Sequence, residues 1–296
     1  MSDWRTWWWA ARPKTLPAAV APVLMGTALA YYDGAGHALS AGVALLVAVL
    51  IQVGTNYCND YADFQKGADT AERIGPVRAT QAGWVTPQAM KRVTVWTFAM
   101  AALAASYLII RGGPWLALVA IASIGAGVGY TVGRYALAYI GLGELFVLVF
   151  FGPVALAGTY YVQTLTLPLH IVLLGLVPGG LSCAILAVNN LRDIEQDRKA
   201  GKRTLAVRFG AGFARIEYSV CVLLPLIGWP MGLRWGAGWP PIVWLLLGVL
   251  GLAWRPLHIV WSGATGATLN PVLGQTGKVL LALALSFTFL MILFIM

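Results

Sequence analysis

Charged side chains are scarce. Only 10% of the 296 residues are Asp, Glu, Lys or Arg, against about 25% in an average soluble domain. So little charge cannot hydrate the surface of one water-soluble core, which excludes an ordinary cytosolic enzyme, a disordered chain and a nucleic-acid-binding domain. Cysteine is scarce too: Cys58, Cys183 and Cys221 are odd in number and lie apart in apolar runs, which excludes a disulfide framework and a zinc site. The three histidines, His37, His170 and His258, are far apart. No serine–histidine–acid grouping appears. The first residues, MSDWRTWWWAARPKTLP, lack an apolar run ending in a small-residue cleavage site, so no cleaved signal peptide is expected.

What is abundant is apolar: 59% of residues are hydrophobic and the mean hydropathy is +0.76. A membrane-spanning helix needs about 17–25 mostly apolar residues. Nine stretches meet that template: 15–33, 39–58, 92–110, 114–132, 142–162, 168–191, 214–233, 239–256 and 276–296. The eighth is short and opens on Pro240-Pro241. Their mixture of Leu, Ala, Val and Gly suits helices packed closely in lipid. The chain therefore reads as one all-α integral membrane domain over residues 1–296, a bundle of nine transmembrane helices.

The net charge of +9 fits this reading. With a cytoplasmic N-terminus and nine spans, 18 of the 20 Lys and Arg fall on the cytoplasmic side, leaving only Arg111 and Arg234 opposite. Trp4, Trp7, Trp8 and Trp9 fit an interfacial anchor ahead of the first span.

Seven of the eleven acidic residues crowd into two windows, 60–72 and 193–197, each at the cytoplasmic end of a span running inward, the second and the sixth. If the second helix continues through the first window, Asn56, Asn59, Asp60 and Asp63 share one face. In the second window Asn189, Asp193 and Asp197 repeat every four residues, again on one face. Paired carboxylates with amide oxygens suit a hard divalent cation, and magnesium typically takes one or two carboxylates plus waters and substrate phosphate oxygens. Basic side chains follow each cluster: Lys66, Arg73 and Arg78 after the first, Lys199, Lys202 and Arg203 after the second. These suit phosphate oxygens that the metal leaves uncovered. Asp69 and Glu72 follow Gly67, where the helix is free to end, and Glu195 points off the Asp193/Asp197 face. Glu144 opens the fifth span, where a carboxylate is costly unless paired or facing a polar cavity.

The stretches ARPKTLPAAVAPVLMGTALA, NDYADFQKGADT with IGPVRATQAG after it, YTVGRYALAYIGLGEL and NNLRDIEQDRKAGKRTLAVRFG resemble the UbiA superfamily of intramembrane aromatic prenyltransferases over nearly the whole chain. Within it they are most similar to the branch acting on 1,4-dihydroxy-2-naphthoate in menaquinone synthesis. One departure is visible. The superfamily pattern N-D-x-x-D-x-x-x-D is met by Asn59, Asp60 and Asp63, but Gly67 stands at the next position and the third acid is Asp69.

The resemblance implies a bundle around a polar central cavity open to the cytoplasm, in the bacterial inner or plasma membrane. It implies Mg2+ as cofactor, held by Asn59, Asp60, Asp63, Asp193 and Asp197, binding the diphosphate of a polyprenyl diphosphate donor. Lys66, Arg73, Arg78, Arg134, Lys202 and Arg203 are then candidates to stabilise the leaving diphosphate, with Asn56, Asn189 and Tyr139 beside it. Asp63 or Asp69 is the candidate base. Tyr130, Tyr135 and Tyr139 are either aromatic faces toward a carbocation or interfacial tyrosines. Arg12 and Lys14 are either partners of the acceptor carboxylate or topology charges. The stretch IGPVRATQAGW reads as a cap over the site.

Three rivals remain. A transporter would place ionisable residues near the bilayer midplane along a pathway, whereas these collect at helix ends. A transferase for nucleotide-activated lipid heads would carry a D-G-x-x-A-R run, which is absent. Prenyltransferases of the same superfamily acting on 4-hydroxybenzoate, homogentisate, haem or chlorophyll share the metal motifs and are the nearest competitors.

Overall fold

A computed structural model describes residues 3–68, 73–232 and 248–293, of which 226–232 by backbone alone. The described residues are helical, with no strand among them. Helix α1 is Trp4–Ala10, α2 Leu16–Tyr32, α3 Ala38–Gln65, α4 Pro87–Gly112 and α5 Trp115–Gly129. Then come α6 Leu137–Ile140, α7 Gly143–Val149, α8 Ala155–Thr164, α9 Leu169–Leu174, α10 Leu176–Arg192 and α11 Ile194–Lys199. The chain ends with α12 Leu205–Gly232, α13 Trp254–Trp261 and α14 Asn270–Leu293.

Among the described residues, six helical segments are long and apolar enough to cross a membrane: Trp4–Tyr32, Ala38–Gln65, Pro87–Gly112, Gly143–Thr164, Leu169–Arg192 and Gly266–Leu293. Helix α5, at 15 residues, rises only about 22 Å, short of the ~30 Å hydrocarbon core. Helix α12 runs through 214–232 of the seventh expected span, 214–233. The first half of the eighth, 239–247, lies outside the described residues.

Helix α3 settles one open question. Its 28 residues extend about 42 Å, so it runs past an average bilayer core and carries Asn56, Asn59, Asp60 and Asp63 on its last turns. Helix α4 starts earlier than expected, at Pro87. Thr86 accepts the Ala89 N–H at 3.3 Å, and proline needs no N–H at the first helical position.

The sixth span breaks where an unbroken helix was expected. Helix α10 stops at Arg192, Asp193 has φ −99° and ψ 9°, and α11 restarts at Ile194. The Asp193 carboxylate is taken by the Arg192 side chain rather than capping the new helix. Asp193 and Asp197 keep their i,i+4 relation, because Asp197 N–H donates to the Asp193 carbonyl at 2.7 Å.

Helix α10 lies at the centre, packed on α12, α14 and α7. Its face joins Leu181, Ala184 and Val188 to Tyr218, Leu280 and Phe287, all buried. The Tyr218 and Thr276 hydroxyls meet at 2.8 Å across α12 and α14, a contact contributing roughly 0.6 kcal/mol between membrane helices. The fifth span is kinked through Phe150–Val154 by Gly152 and Pro153, since proline supplies no N–H to the ladder. Gly152 touches the sixth span so closely that a Cβ would stand 2.6 Å from the Gly175 carbonyl oxygen. By contrast Val95, Trp96, Leu103, Ile110, Leu118 and Ile121 on α4 and α5 are exposed. Such a large apolar surface marks a lipid or partner interface, and the hydropathy of these helices points to lipid.

Candidate active site

Both motifs face one cavity of about 870 Å³. Its polar end carries Asn59, Asp63, Arg73, Arg78, Asp197 and Lys202, and its apolar walls include Ile51, Val119, Phe146 and Phe150. The cavity is therefore charged at the ends of α3 and α10 and apolar between the helices.

Asp63 is the hub. Its Oδ2 accepts from Arg78 Nη2 at 3.0 Å, its Oδ1 accepts from the Tyr139 hydroxyl at 3.1 Å, and Lys202 Nζ lies 3.6 Å from Oδ1. The same Nζ lies 3.7 Å from Asp197 Oδ1. One ammonium thus sits between carboxylates of the two motifs. Burial pushes the Asp197 carboxyl up to about 6, with Lys202 opposing and Asp193 and Asp63 adding to the rise. Lys66 is shifted down, chiefly by burial, with Asp63 opposing.

Asp60 turns elsewhere, although it was expected on the metal face. Its oxygens accept the Ala79 and Thr80 N–H groups, each at 2.9 Å. It caps the turn of the loop that follows Arg73, and it is absent from the cavity wall. Asn59 Oδ1 accepts from the Thr131 hydroxyl at 2.8 Å. Asn56 Nδ2 donates to the Ala11 carbonyl at 2.9 Å and to Thr15 Oγ1 at 3.1 Å. That network holds the N-terminal turn against α3, with Arg12 and Lys14 on the cavity wall. Arg12 is left-handed at φ 53°. Pro13 disfavours a right-handed helical residue before it, and the strained backbone costs about 1–3 kcal/mol.

In the second motif Arg192 donates to both Asp193 oxygens, at 2.7 and 2.6 Å, to Asn189 Oδ1 at 2.7 Å and to Asn270 Oδ1 at 3.0 Å. Asn270 donates to the Ile74 carbonyl at 3.2 Å, and the Ile74 N–H donates to Gln196 Oε1 at 3.3 Å. The loop after Arg73 is therefore latched to the second motif and to α14. Arg192, Asn270 and Gln196 were missed in the sequence. Arg192 was counted only as a topology charge, and nothing local marks the other two.

The remaining candidates stand around the mouth. Lys66 donates to the Thr131 carbonyl at 2.6 Å and lies 4.0 Å from the Tyr139 ring centroid. Tyr130 lines the cavity, whereas Lys66, Arg134, Tyr139 and Arg203 are not on its wall. Arg134 and Arg203 are exposed. Asp69 and Glu72 lie outside the described residues.

The donor set fits magnesium. Among the described residues no three His, Cys, Asp or Glu side chains form a closed metal cage. Asp63 and Asp197 face each other across the Lys202 ammonium, and Asp193, Asn59 and Asn189 line the same cavity, an open set that substrate phosphate oxygens would complete.

The sequence profile described as the UbiA prenyltransferase family matches residues 19–264. A 1,4-dihydroxy-2-naphthoate octaprenyltransferase of Haemophilus influenzae is 38% identical, covering 96% of this chain and 94% of its own. One from Mycobacterium tuberculosis is 39% identical, covering 97% and 96%. A UbiA homolog from Archaeoglobus fulgidus, solved bound to GPP and Mg2+, superposes with a TM-score of 0.67 at 16% identity, covering 97% of this chain and 99% of its own. That likeness carries the fold.

Proposed function

The chain belongs to the UbiA prenyltransferase family, and from that premise we propose that it moves a polyprenyl group from a polyprenyl diphosphate onto 1,4-dihydroxy-2-naphthoate. Carbon dioxide is lost and demethylmenaquinol is formed for menaquinone biosynthesis. The chain is a prenyltransferase of the lipid bilayer. The observation that carries the chemistry is the cavity itself, in which Asp63, Asp197 and Lys202 meet at one end and Phe146 and Phe150 line the walls.

Asp63, Asp193 and Asp197, with Asn59, would hold magnesium, which when bound neutralises diphosphate oxygens. Arg78, Lys202 and Arg73 place positive charge where the departing diphosphate gathers negative charge. The allylic C1–O bond breaks with its electron pair leaving on the diphosphate. The apolar walls exclude water from the resulting cation. The ring carbon that bears the carboxylate attacks C1, and the bond to the carboxylate then breaks, returning its electron pair to the ring as carbon dioxide departs. No carbon-bound proton has to be removed. Of the two candidate bases, Asp63 has its oxygens engaged by Arg78 and the Tyr139 hydroxyl, with Lys202 3.6 Å away. Asp69 stands as the alternative. The loop after Arg73 serves as the cap, with Arg12 and Lys14 near the acceptor carboxylate. We place this end on the cytoplasmic side of a nine-span bundle in the bacterial plasma membrane. Purified protein given one polyprenyl diphosphate and a panel of aromatic acceptors tests the assignment: turnover with dihydroxynaphthoate supports it, and turnover only with hydroxybenzoate overturns it.

A further inference from the structure

Among the described residues, Glu144 is the one cavity-lining carboxylate outside the two motifs. It is buried, at 6% exposure, as is Asn190. Asn190 Nδ2 donates to Glu144 Oε1 at 2.6 Å, and both residues line the cavity. Tyr130 lines it beside them, its hydroxyl so near α7 that a Cβ on Gly143 would stand 3.2 Å away. Among the described residues no Lys, Arg or His pairs with Glu144. Two to seven residues further on, Phe146, Val147, Phe150 and Phe151 make the wall apolar. Glu144 therefore stands in the first turn of the helix that supplies part of the apolar wall.

A carboxylate there is costly in a membrane protein, and one amide donor does not exhaust its acceptor capacity. The two substrates limit what satisfies it. The prenyl chain offers no hydrogen-bond donor. The diphosphate is anionic and is repelled. Only the aromatic acceptor brings O–H groups. Of its two hydroxyls, the one adjacent to the carboxylate is engaged within the molecule, which leaves the remote hydroxyl to donate outward. The acceptor's own carboxylate is repelled by Glu144 and turns toward Arg12 and Lys14 on the cavity wall.

We propose that Glu144, held by Asn190, binds the acceptor hydroxyl remote from its carboxylate and so fixes which way round the ring enters the cavity. The proposal rests on the prenyl-transfer reading above and adds a residue that neither metal motif contains. It makes Glu144 an acceptor-positioning group. The diphosphate is handled elsewhere.

The test pairs the side chain with the hydroxyl. Wild type, Glu144→Ala and the shape-preserving Glu144→Gln are compared with 1,4-dihydroxy-2-naphthoate and with 1-hydroxy-2-naphthoate, which lacks the remote hydroxyl. Equilibrium binding of each acceptor is measured by calorimetry in detergent, and KM for both substrates is taken from turnover. For Glu144→Ala the expected result is at least a tenfold loss of dihydroxynaphthoate affinity, the range for a hydrogen bond to a charged group. The donor KM stays within twofold, and 1-hydroxy-2-naphthoate binds wild type and variant alike. Glu144→Gln falls between. Equal losses for both acceptors, or a donor KM that rises with the acceptor KM, overturn the assignment. If wild type neither binds nor prenylates dihydroxynaphthoate, the acceptor reading itself fails and takes this assignment with it.

Discussion

Lys202 Nζ stands 3.6 Å from Asp63 Oδ1 and 3.7 Å from Asp197 Oδ1, so a single ammonium ties the end of α3 to the segment after α10. Such a charge balances two carboxylates when no metal is bound and competes with a metal for them. Lys202→Met is expected to lower the magnesium concentration needed for half-maximal rate, because the competing cation is gone. The same change should cut kcat about a hundredfold, the loss typical of one stabilising contact to a developing anion. A magnesium titration of the turnover rate measures both. A raised half-saturation point with normal kcat would contradict the assigned role.

Asp63→Ala and Asp193→Ala are each expected to abolish turnover while leaving an inserted, folded protein. Each removes a carboxylate from the open magnesium site. Membrane insertion and monodispersity in detergent report the fold, and diphosphate release reports turnover. Near wild-type activity of either variant with magnesium present would sink the metal assignment.

Asp60 makes a different prediction from its neighbour three residues on. Its oxygens hold the Ala79 and Thr80 N–H groups, so Asp60→Ala should free two buried donors at a cost of about 1–3 kcal/mol each. The expected signs are a lower Tm and faster proteolysis within 73–85, with magnesium half-saturation moving little. A large shift in magnesium dependence at unchanged Tm would place Asp60 with the metal instead.

The contrast between Asp60 and Asp63 shows where sequence reading reaches its limit. Helical spacing put both on one broad face, correctly in that α3 runs through Gln65. Residues three apart still differ by about 60° around the axis. That angle sends one carboxylate under the loop and the other into the cavity, and only packing decides which. The pairing of Arg78 and Lys202 with Asp63 is likewise a matter of how loops far apart in sequence fold together. Hydropathy placed the long apolar helices well, because lipid demands length and internal hydrogen bonding. The break at Asp193 was invisible, since Arg192 removes that carboxylate from the helix through a contact that periodicity does not encode. Glu144 was legible as an oddity, a lone acid opening an apolar run, but its partner Asn190 was not.

Topology gives a further check. Eighteen of the twenty Lys and Arg fall on one side of a nine-span arrangement, which predicts a cytoplasmic N-terminus and an extracytoplasmic C-terminus. Reporter fusions after Met296 are expected to signal from outside the cytoplasm. A cytoplasmic signal would mean an even number of spans, with 239–256 the first stretch to discard.

The acceptor chemistry is the centre of the account. The magnesium site handles only the diphosphate and would serve a hydroxybenzoate enzyme equally, so the fate of the carboxylate separates the two. An enzyme attacking the carboxylated carbon releases carbon dioxide, and one attacking a carbon that bears hydrogen keeps the carboxylate in its product. The measurement is mass spectrometry of products formed by the purified protein from a polyprenyl diphosphate and carboxyl-labelled 1,4-dihydroxy-2-naphthoate. The account predicts a prenylated naphthalenediol without label, with the label recovered as carbon dioxide. Label retained in the prenylated product would contradict it.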